Sequence, residues 1–254
     1  MINIEYKNIR KIPFKINRNS IFYYNKNIIY KIPKNISENY INVLDYINNC
    51  NLDILIKLVN YIYKNEKFIG YSFINYDSYK ELNKFKERNI FQKKEDCHKI
   101  IEIFNTLTDK GLFYHDFHCG NIILNEKDND IKLCDLDLFT RKSSKENIIK
   151  QIRSSAILCL MYLYNLSYPD ILVLIRDGQS INKDKIVNKY FKELSNSKII
   201  DFHSCIDKLD LELVSKERIK LKRKIRELSH NEYYNKYYHI WLQKYWQIAH
   251  NNIY

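Results

Sequence analysis

Glycine and proline are nearly missing from this chain: it has 4 Gly and 3 Pro, where average usage would give roughly 18 and 13. The scarcity excludes collagen-like repeats, flexible Gly-rich linkers and any motif that needs several clustered glycines. No apolar run is long enough to cross a bilayer, and no secretory signal is apparent, so the expectation is a chain with no membrane span. The six cysteines, at 50, 97, 119, 134, 159 and 205, contain no Cys-x-x-Cys pair. At this size they read as small buried hydrophobes in a reduced, cytoplasmic protein.

What the chain does have is apolar and aromatic material: 45% hydrophobic residues, with 12 Phe, 22 Tyr and 2 Trp in 254. That supports one large or two small folded domains and excludes wholesale disorder. Lys and Arg (42) exceed Asp and Glu (30), giving +12, a balance that usually suggests nucleic acid or an anionic surface. Here Asn, Ile, Tyr and Lys are all abundant together. Such a bias of coding composition adds positive charge without selecting a binding face, and nucleic acid is not expected as a partner.

Up to about residue 76 the pattern has a period near 2. Ile9–Ile16 and Ile21–Tyr24 read as strands joined at Asn17-Arg18-Asn19-Ser20, and Asn27–Ile32 as a third that stops at Pro33. Ser37 is placed to cap a helix that carries Ile41, Leu44 and Ile47. Leu55–Tyr63 and Lys67–Asn75 read as a hairpin with its tip at Lys64-Asn65-Glu66 and Gly70 inside its second strand. A small, mostly antiparallel sheet with one helix is expected.

Beyond Tyr76-Asp77 the period changes to about 3.6. Helices are expected near 79–87, from Gln92 to Lys110 with Cys97, Ile100, Ile101, Phe104 and Leu107 as its buried stripe, and over Ile148–Leu166. Further helices are expected near 168–177, 183–194, 212–228 and 231–250. Lys216–Arg226 reads as a solvated basic helix face, and Tyr234, Tyr238, Trp241 and Tyr245 as core at helical spacing.

The chemistry is concentrated in Gly111-Leu-Phe-Tyr-His115-Asp116-Phe-His118-Cys-Gly-Asn121-Ile-Ile-Leu124 and Ile131-Lys-Leu-Cys-Asp135-Leu-Asp137. Polar groups lie between two apolar β runs joined through Asn125–Asp130, so the hairpin should draw Asp116, Asn121 and Asp135 toward one point. One carboxylate to orient an attacking hydroxyl, with an amide and a second carboxylate to hold Mg²⁺, is the set that phosphoryl transfer needs.

These residues resemble the protein-kinase-like superfamily, including its choline-kinase and aminoglycoside-phosphotransferase branches. Asp116 to Asn121 keeps the step of the family's His-x-Asp-x-x-x-x-Asn loop, with Tyr114 where the leading His would stand. Asp135-Leu136-Asp137 resembles the Asp-Phe-Gly segment without its glycine, and His118-Cys119-Gly120-Asn121 the His-Pro-Gly-Asn of the small-molecule branches. The resemblance implies an α+β, bilobal protein-kinase-like fold. Its small sheet lobe would cover 1–76, its larger helical lobe 77–254 and its hinge Phe73–Asp77, with ATP between the lobes. It implies Asp116 as catalytic base, and Asn121 and Asp135 as further catalytic residues that ligate Mg²⁺.

Ile29-Tyr30-Lys31 resembles the Ala-x-Lys of the family's third strand, which implies Lys31 as the nucleotide lysine; Lys34, past Pro33, falls outside the strand. The carboxylate partner of Lys31 should come from the following helix: Glu38 by chemical type, or Asp45 by distance along the chain. His118 reads as a residue that positions the loop or simply packs. Asp137 reads as a surface carboxylate, with a place at the metal as the alternative. The turn at Asn17–Ser20 has no glycine to let backbone approach phosphates closely, and no Ala-Pro-Glu segment follows Asp137. The expected function is ATP- and Mg²⁺-dependent transfer to a hydroxyl of a small molecule or a protein, the alternative being an inactive pseudokinase that serves as a nucleotide-binding or interaction module. Because 178–254 is net basic, an anionic or neutral acceptor fits better than a polycation.

Overall fold

A computed structural model describes residues 2–9, 13–16, 19–37, 40–85, 87–165, 202–207, 210–212, 214–216, 219 and 223. The fold is mixed α/β, with a six-stranded sheet and a few helices. By contacts it divides into two compact units. The first comprises Met1–Leu82, Leu107–Tyr114 and Gly120–Ser143; the second comprises Asn83–Thr106, His115–Cys119 and Ser144–Tyr254.

The first unit is built on β1 (Ile2–Glu5), β2 (Lys15–Ile16), β3 (Ser20–Asn25), β4 (Ile28–Pro33), β5 (Leu58–Lys64) and β6 (Lys67–Ile74), with α1 (Ile41–Cys50) between β4 and β5. Their order in the sheet is β1-β5-β6-β4-β3-β2. All pairings are antiparallel except β1 with β5, which run parallel in the register Ile2↔Asn60 to Glu5↔Tyr63. Side chains two apart share a face, so alternation divides the sheet. One face buries Tyr23, Tyr30 and Ile62 with Ile9, packed by Ile4, Tyr6, Ile21, Ile28, Ile32 and Ile69. The other carries Phe22, Lys31 and Tyr71, with Lys31 the direct cross-strand partner of both rings.

A chain with so few glycines must make its left-handed positions from other residues. Asn51 after α1, Asn65 at the β5–β6 turn and Asn129 before β10 (Asp130–Leu133) all have φ near +50°. Asparagine is the side chain that tolerates this region best. Asn65 and Glu66, both with positive φ, close β5 and β6 with the two-residue turn that suits the twist of a hairpin. β9 (Ile122–Asn125) pairs with β10 and with the short β7 (Lys80–Glu81), while β8 (Phe113–Tyr114) pairs with β11 (Phe139–Thr140).

In the second unit, the part of α2 (Ile90–Asp109) up to Thr106 packs with α3 (Lys145–Tyr164) and α4 (Phe202–Asp207). Cys97, Ile100, Ile101 and Phe104 are buried as the helical period predicts, and Leu107, in the first unit, is buried too. Cys97 and Cys159 each donate a thiol hydrogen bond to the other's carbonyl, at 3.7 and 3.6 Å. Asp96 is fully buried: Arg88 grips it with two bonds of 2.7 and 2.9 Å, and the Tyr162 hydroxyl donates a third at 2.7 Å. Ser144 caps α3 by accepting the Asn147 N–H, and Asn165 closes it with φ +51°.

Several expectations are corrected. Residues 79–87 are not a helix: Lys80–Glu81 pairs with β9 and Leu82–Lys84 forms a 3-10 turn. The Tyr79 hydroxyl donates to Asp130, and this tertiary tie outweighs local periodicity. α1 begins at Ile41, with Tyr40 at its cap position making no side-chain bond to the helix, and the Ser37 carbonyl accepts the Tyr40 N–H. The parallel β1 was not anticipated. The helices expected near 168–177, 183–194 and 231–250, the aromatics from Tyr234 to Tyr245 and most of the basic 216–226 segment lie outside the described residues.

Gly70 is required by close packing: a Cβ there would stand 2.2 Å from the Lys31 carbonyl oxygen and 3.2 Å from the Ile32 Cα. Backbone on a neighbouring strand cannot swing aside, so Gly70→Ala should lower unfolding free energy by about 1–3 kcal/mol in urea titrations. Gly111→Ala, with φ +63° and open space around it, should lose only about 1 kcal/mol, from backbone strain alone.

Candidate functional site

β4 lies inside the sheet, between β3 and β6, and carries Lys31 on the same face as Phe22 and Tyr71. Lys31 is 4% exposed. Its Nζ stands 5.8 Å from the centroid of the Phe22 ring and 5.9 Å from that of Tyr71. A buried ammonium must be paired, and two carboxylates meet it: Asp135, and Asp137 at 2.5 Å.

Both acids come from the chain leaving β10. Asp135 adopts φ 63° and ψ 76°, the left-handed region, and Leu136–Leu138 then form one 3-10 turn anchored by fully buried Leu136. A non-glycine residue in this conformation costs about 1–2 kcal/mol. Asp135 thus meets Lys31 from a strained backbone, and the turn brings Asp137 to the same ammonium. Two tyrosines complete the arrangement. The Tyr71 hydroxyl donates to Asp137. The Tyr40 hydroxyl donates to the Leu136 carbonyl and accepts the Phe139 N–H at 2.8 Å, spanning the turn.

The cluster carries two negative charges and one positive. Burial works against the Lys31 charge, but Asp137 and Asp135 outweigh it and hold the ammonium above the usual lysine range. Burial foremost, with Asp135 adding to it, pushes the Asp137 carboxyl up despite the opposing Lys31. Burial also pushes the Tyr71 and Tyr40 phenols well above their ordinary value.

Asn121 precedes β9 and Asp135 follows β10, and the pairing Ile122↔Leu133 puts both at one end of the hairpin. The Asn121 carbonyl accepts the Cys134 N–H at 2.8 Å, and its amide donates to the Tyr114 hydroxyl at 2.6 Å. Tyr114, which stands where the family resemblance leads one to expect His, also packs its ring 4.9 Å from that of Phe139. Burial foremost, then Asp135, pushes the Cys134 thiol up to about 12, which leaves it unreactive.

Asp116 belongs to the second unit, where its Oδ2 lies 3.2 Å from His118 Nε2 and both side chains are substantially exposed. In the same segment Phe117 packs 4.8 Å from Phe104. His115 is held down to about 4, by burial first and by Lys150 second. Asp45 does not join Lys31: it accepts the Tyr61 hydroxyl at 2.5 Å. Glu38 lies outside the described residues. Asp137 is not a surface carboxylate; its side chain is 18% exposed and bonded to Lys31 and Tyr71. Tyr40 and Tyr71 are participants the sequence did not single out, because a phenol in a strand or at a helix start has no spacing signal of its own.

The donors suit a hard cation. Mg²⁺ takes one or two carboxylates, keeps waters and shares phosphate oxygens; Asp135 and Asp137 are such carboxylates, and Asn121 supplies an amide oxygen. Among the described residues no three His, Cys, Asp or Glu side chains are gathered to hold a metal alone.

Lys31→Met should destabilise the first unit by about 3 kcal/mol near neutrality, because two carboxylates are left without their cation. Thermal melts across pH should show that loss shrinking as acid neutralises them; Asp135→Asn should lose less, because Asp135 is 31% exposed. A second pH effect comes from His115. Its folded value lies below that of the unfolded chain, so its contribution is complete above about 6.5 and is lost as pH falls toward about 4. The loss should be of order 1–2 kcal/mol after screening, and His115→Gln should flatten it. Compared with known proteins, the sequence matches no protein-family model and no curated protein, so what the site does has to be read from its own residues.

Proposed function

We propose that this chain is an ATP- and Mg²⁺-dependent phosphotransferase with a bilobal, protein-kinase-like fold, its sheet lobe over 1–76 and its helical lobe over 77–254. The observation that supports this most is the pairing of Lys31 with Asp135. It joins the third strand of the β2–β3–β4 meander to a carboxylate just past the hairpin that begins at Asn121. Cation and carboxylate meet at one place, where the ammonium can carry the α/β-phosphates and the half-buried carboxylate can hold Mg²⁺ against them. In this reading Asn121 is the second metal ligand, by its five-residue step from Asp116, and Asp116 orients the acceptor hydroxyl and takes its proton. The His118 contact at 3.2 Å supports a steadied Asp116 carboxylate. The acceptor is a hydroxyl on a small anionic or neutral molecule or on a protein.

The test is Mg²⁺-dependent ATP turnover by the full chain and by Asp116→Ala. Loss of a positioned base should slow turnover by about 10²–10⁴. Equal rates at background would overturn the enzyme reading in favour of a pseudokinase, whose mark is Mg²⁺·ATP-dependent thermal stabilisation without turnover. A γ-labelled ATP screen against metabolites and lysate in parallel then identifies the acceptor class; label confined to protein bands would exclude a small-molecule acceptor.

A further inference from the structure

The turn that carries the two acids is framed by two phenols that hydrogen-bond to it. Tyr40, at the start of α1, reaches across 96 residues of sequence to the Leu136 carbonyl and 99 to the Phe139 N–H. One oxygen therefore satisfies a donor and an acceptor on opposite sides of Asp137 and fixes the turn's span. Tyr71 is fully buried and is the direct cross-strand partner of Lys31. Its hydroxyl donates to the carboxylate oxygen of Asp137 other than the one 2.5 Å from Lys31. Asp137 thus meets Lys31 from β4, Tyr71 from β6, Tyr40's turn contacts ahead of α1 and Asp135 from its own loop. Neither phenol is needed to fill space: a phenylalanine would pack the same volume. What the hydroxyls add is direction, since they hold Leu136–Phe139 in one conformation and one Asp137 oxygen turned to Lys31.

We infer that Tyr40 and Tyr71 are positioning residues, which hold the Asp135–Asp137 turn against Lys31 and so keep the ammonium and both carboxylates in the geometry that Mg²⁺·ATP would use. This rests on the phosphotransferase reading for its ligand, though not for its mechanics. Tyr40 transmits the position of α1 to the acids, and Tyr71 that of β6.

The experiment uses the full chain as wild type, Tyr40→Phe and Tyr71→Phe, with three readouts. Thermal midpoints within a few degrees of wild type would show that the ring packing survives. Hydrogen exchange at the Phe139 amide should quicken about tenfold in Tyr40→Phe, which removes that amide's acceptor, and hardly change in Tyr71→Phe. The NMR signal of the Lys31 ammonium should shift or broaden in both variants, and Mg²⁺·ATP affinity should fall about tenfold in both. Unchanged Phe139 exchange and an unchanged Lys31 signal would overturn the inference. So would altered exchange with wild-type affinity for Mg²⁺·ATP, because the phenols would then hold the turn without serving the site. Altered exchange and an altered Lys31 signal in a protein whose wild type binds no Mg²⁺·ATP would overturn the phosphotransferase reading instead, leaving the two phenols as the residues that set the turn. Should Tyr40→Phe not fold, Tyr71→Phe carries the test through the Lys31 signal alone.

Discussion

An ammonium placed in the middle of a sheet sets terms for everything around it. Lys31 is buried beside Phe22 and Tyr71 of the neighbouring strands, and a buried charge without partners would cost many kcal/mol. The chain answers with a turn whose first residue accepts a left-handed backbone and whose third places a second carboxylate on the same nitrogen. One carboxylate would neutralise the lysine. The second stands on the same nitrogen, and the Tyr71 hydroxyl bonds the other oxygen of Asp137.

The division of the sheet into two faces follows from the same constraint. The face with Tyr23, Tyr30 and Ile62 is a conventional apolar core covered by the segment through Ile9. It supplies stability, so that the opposite face can be given to charged groups that contribute little net stability themselves. The second unit solves a comparable problem independently. Asp96 is as buried as Lys31, and Arg88 and Tyr162 supply its hydrogen bonds. There too a tyrosine hydroxyl completes a buried ion pair, a use of the chain's abundant Tyr that its composition alone would have assigned to core packing.

Much of the architecture was legible in the sequence because it is local. Alternating apolar residues and short polar turns mark β3–β4, β5–β6 and β9–β10, and a 3.6 period marks α2 and α3 close to their observed bounds. Lys31 stands out in the sequence through the resemblance of Ile29-Tyr30-Lys31 to an Ala-x-Lys strand; its place on an inner strand comes from the sheet order. What could not be read depends on separation along the chain. β1 pairs in parallel with a strand more than fifty residues later, and no pattern within Ile2–Glu5 announces that. The helix expected at 79–87 lost to pairing with β9 and to the Tyr79–Asp130 bond, both set by distant residues. Asp137 looked like a surface acid because its partner is Lys31, on another strand altogether. Asp45 lies on α1 as expected, yet its carboxylate accepts the Tyr61 hydroxyl, from a strand that local pattern does not bring to it.

The use of asparagine where many proteins place glycine bears on the unfolded chain as much as on the folded one. Asn51, Asn65, Asn129 and Asn165 each accept a left-handed φ, at some strain in the native state. Each also has a side chain that narrows the backbone conformations open to the denatured ensemble, so less entropy is surrendered on folding than a glycine would surrender. The two terms oppose each other within a kcal/mol or so per site. A polypeptide nearly stripped of its most flexible residue is therefore not overstrained; it begins from a stiffer disordered state and has less freedom to lose on the way to its turns.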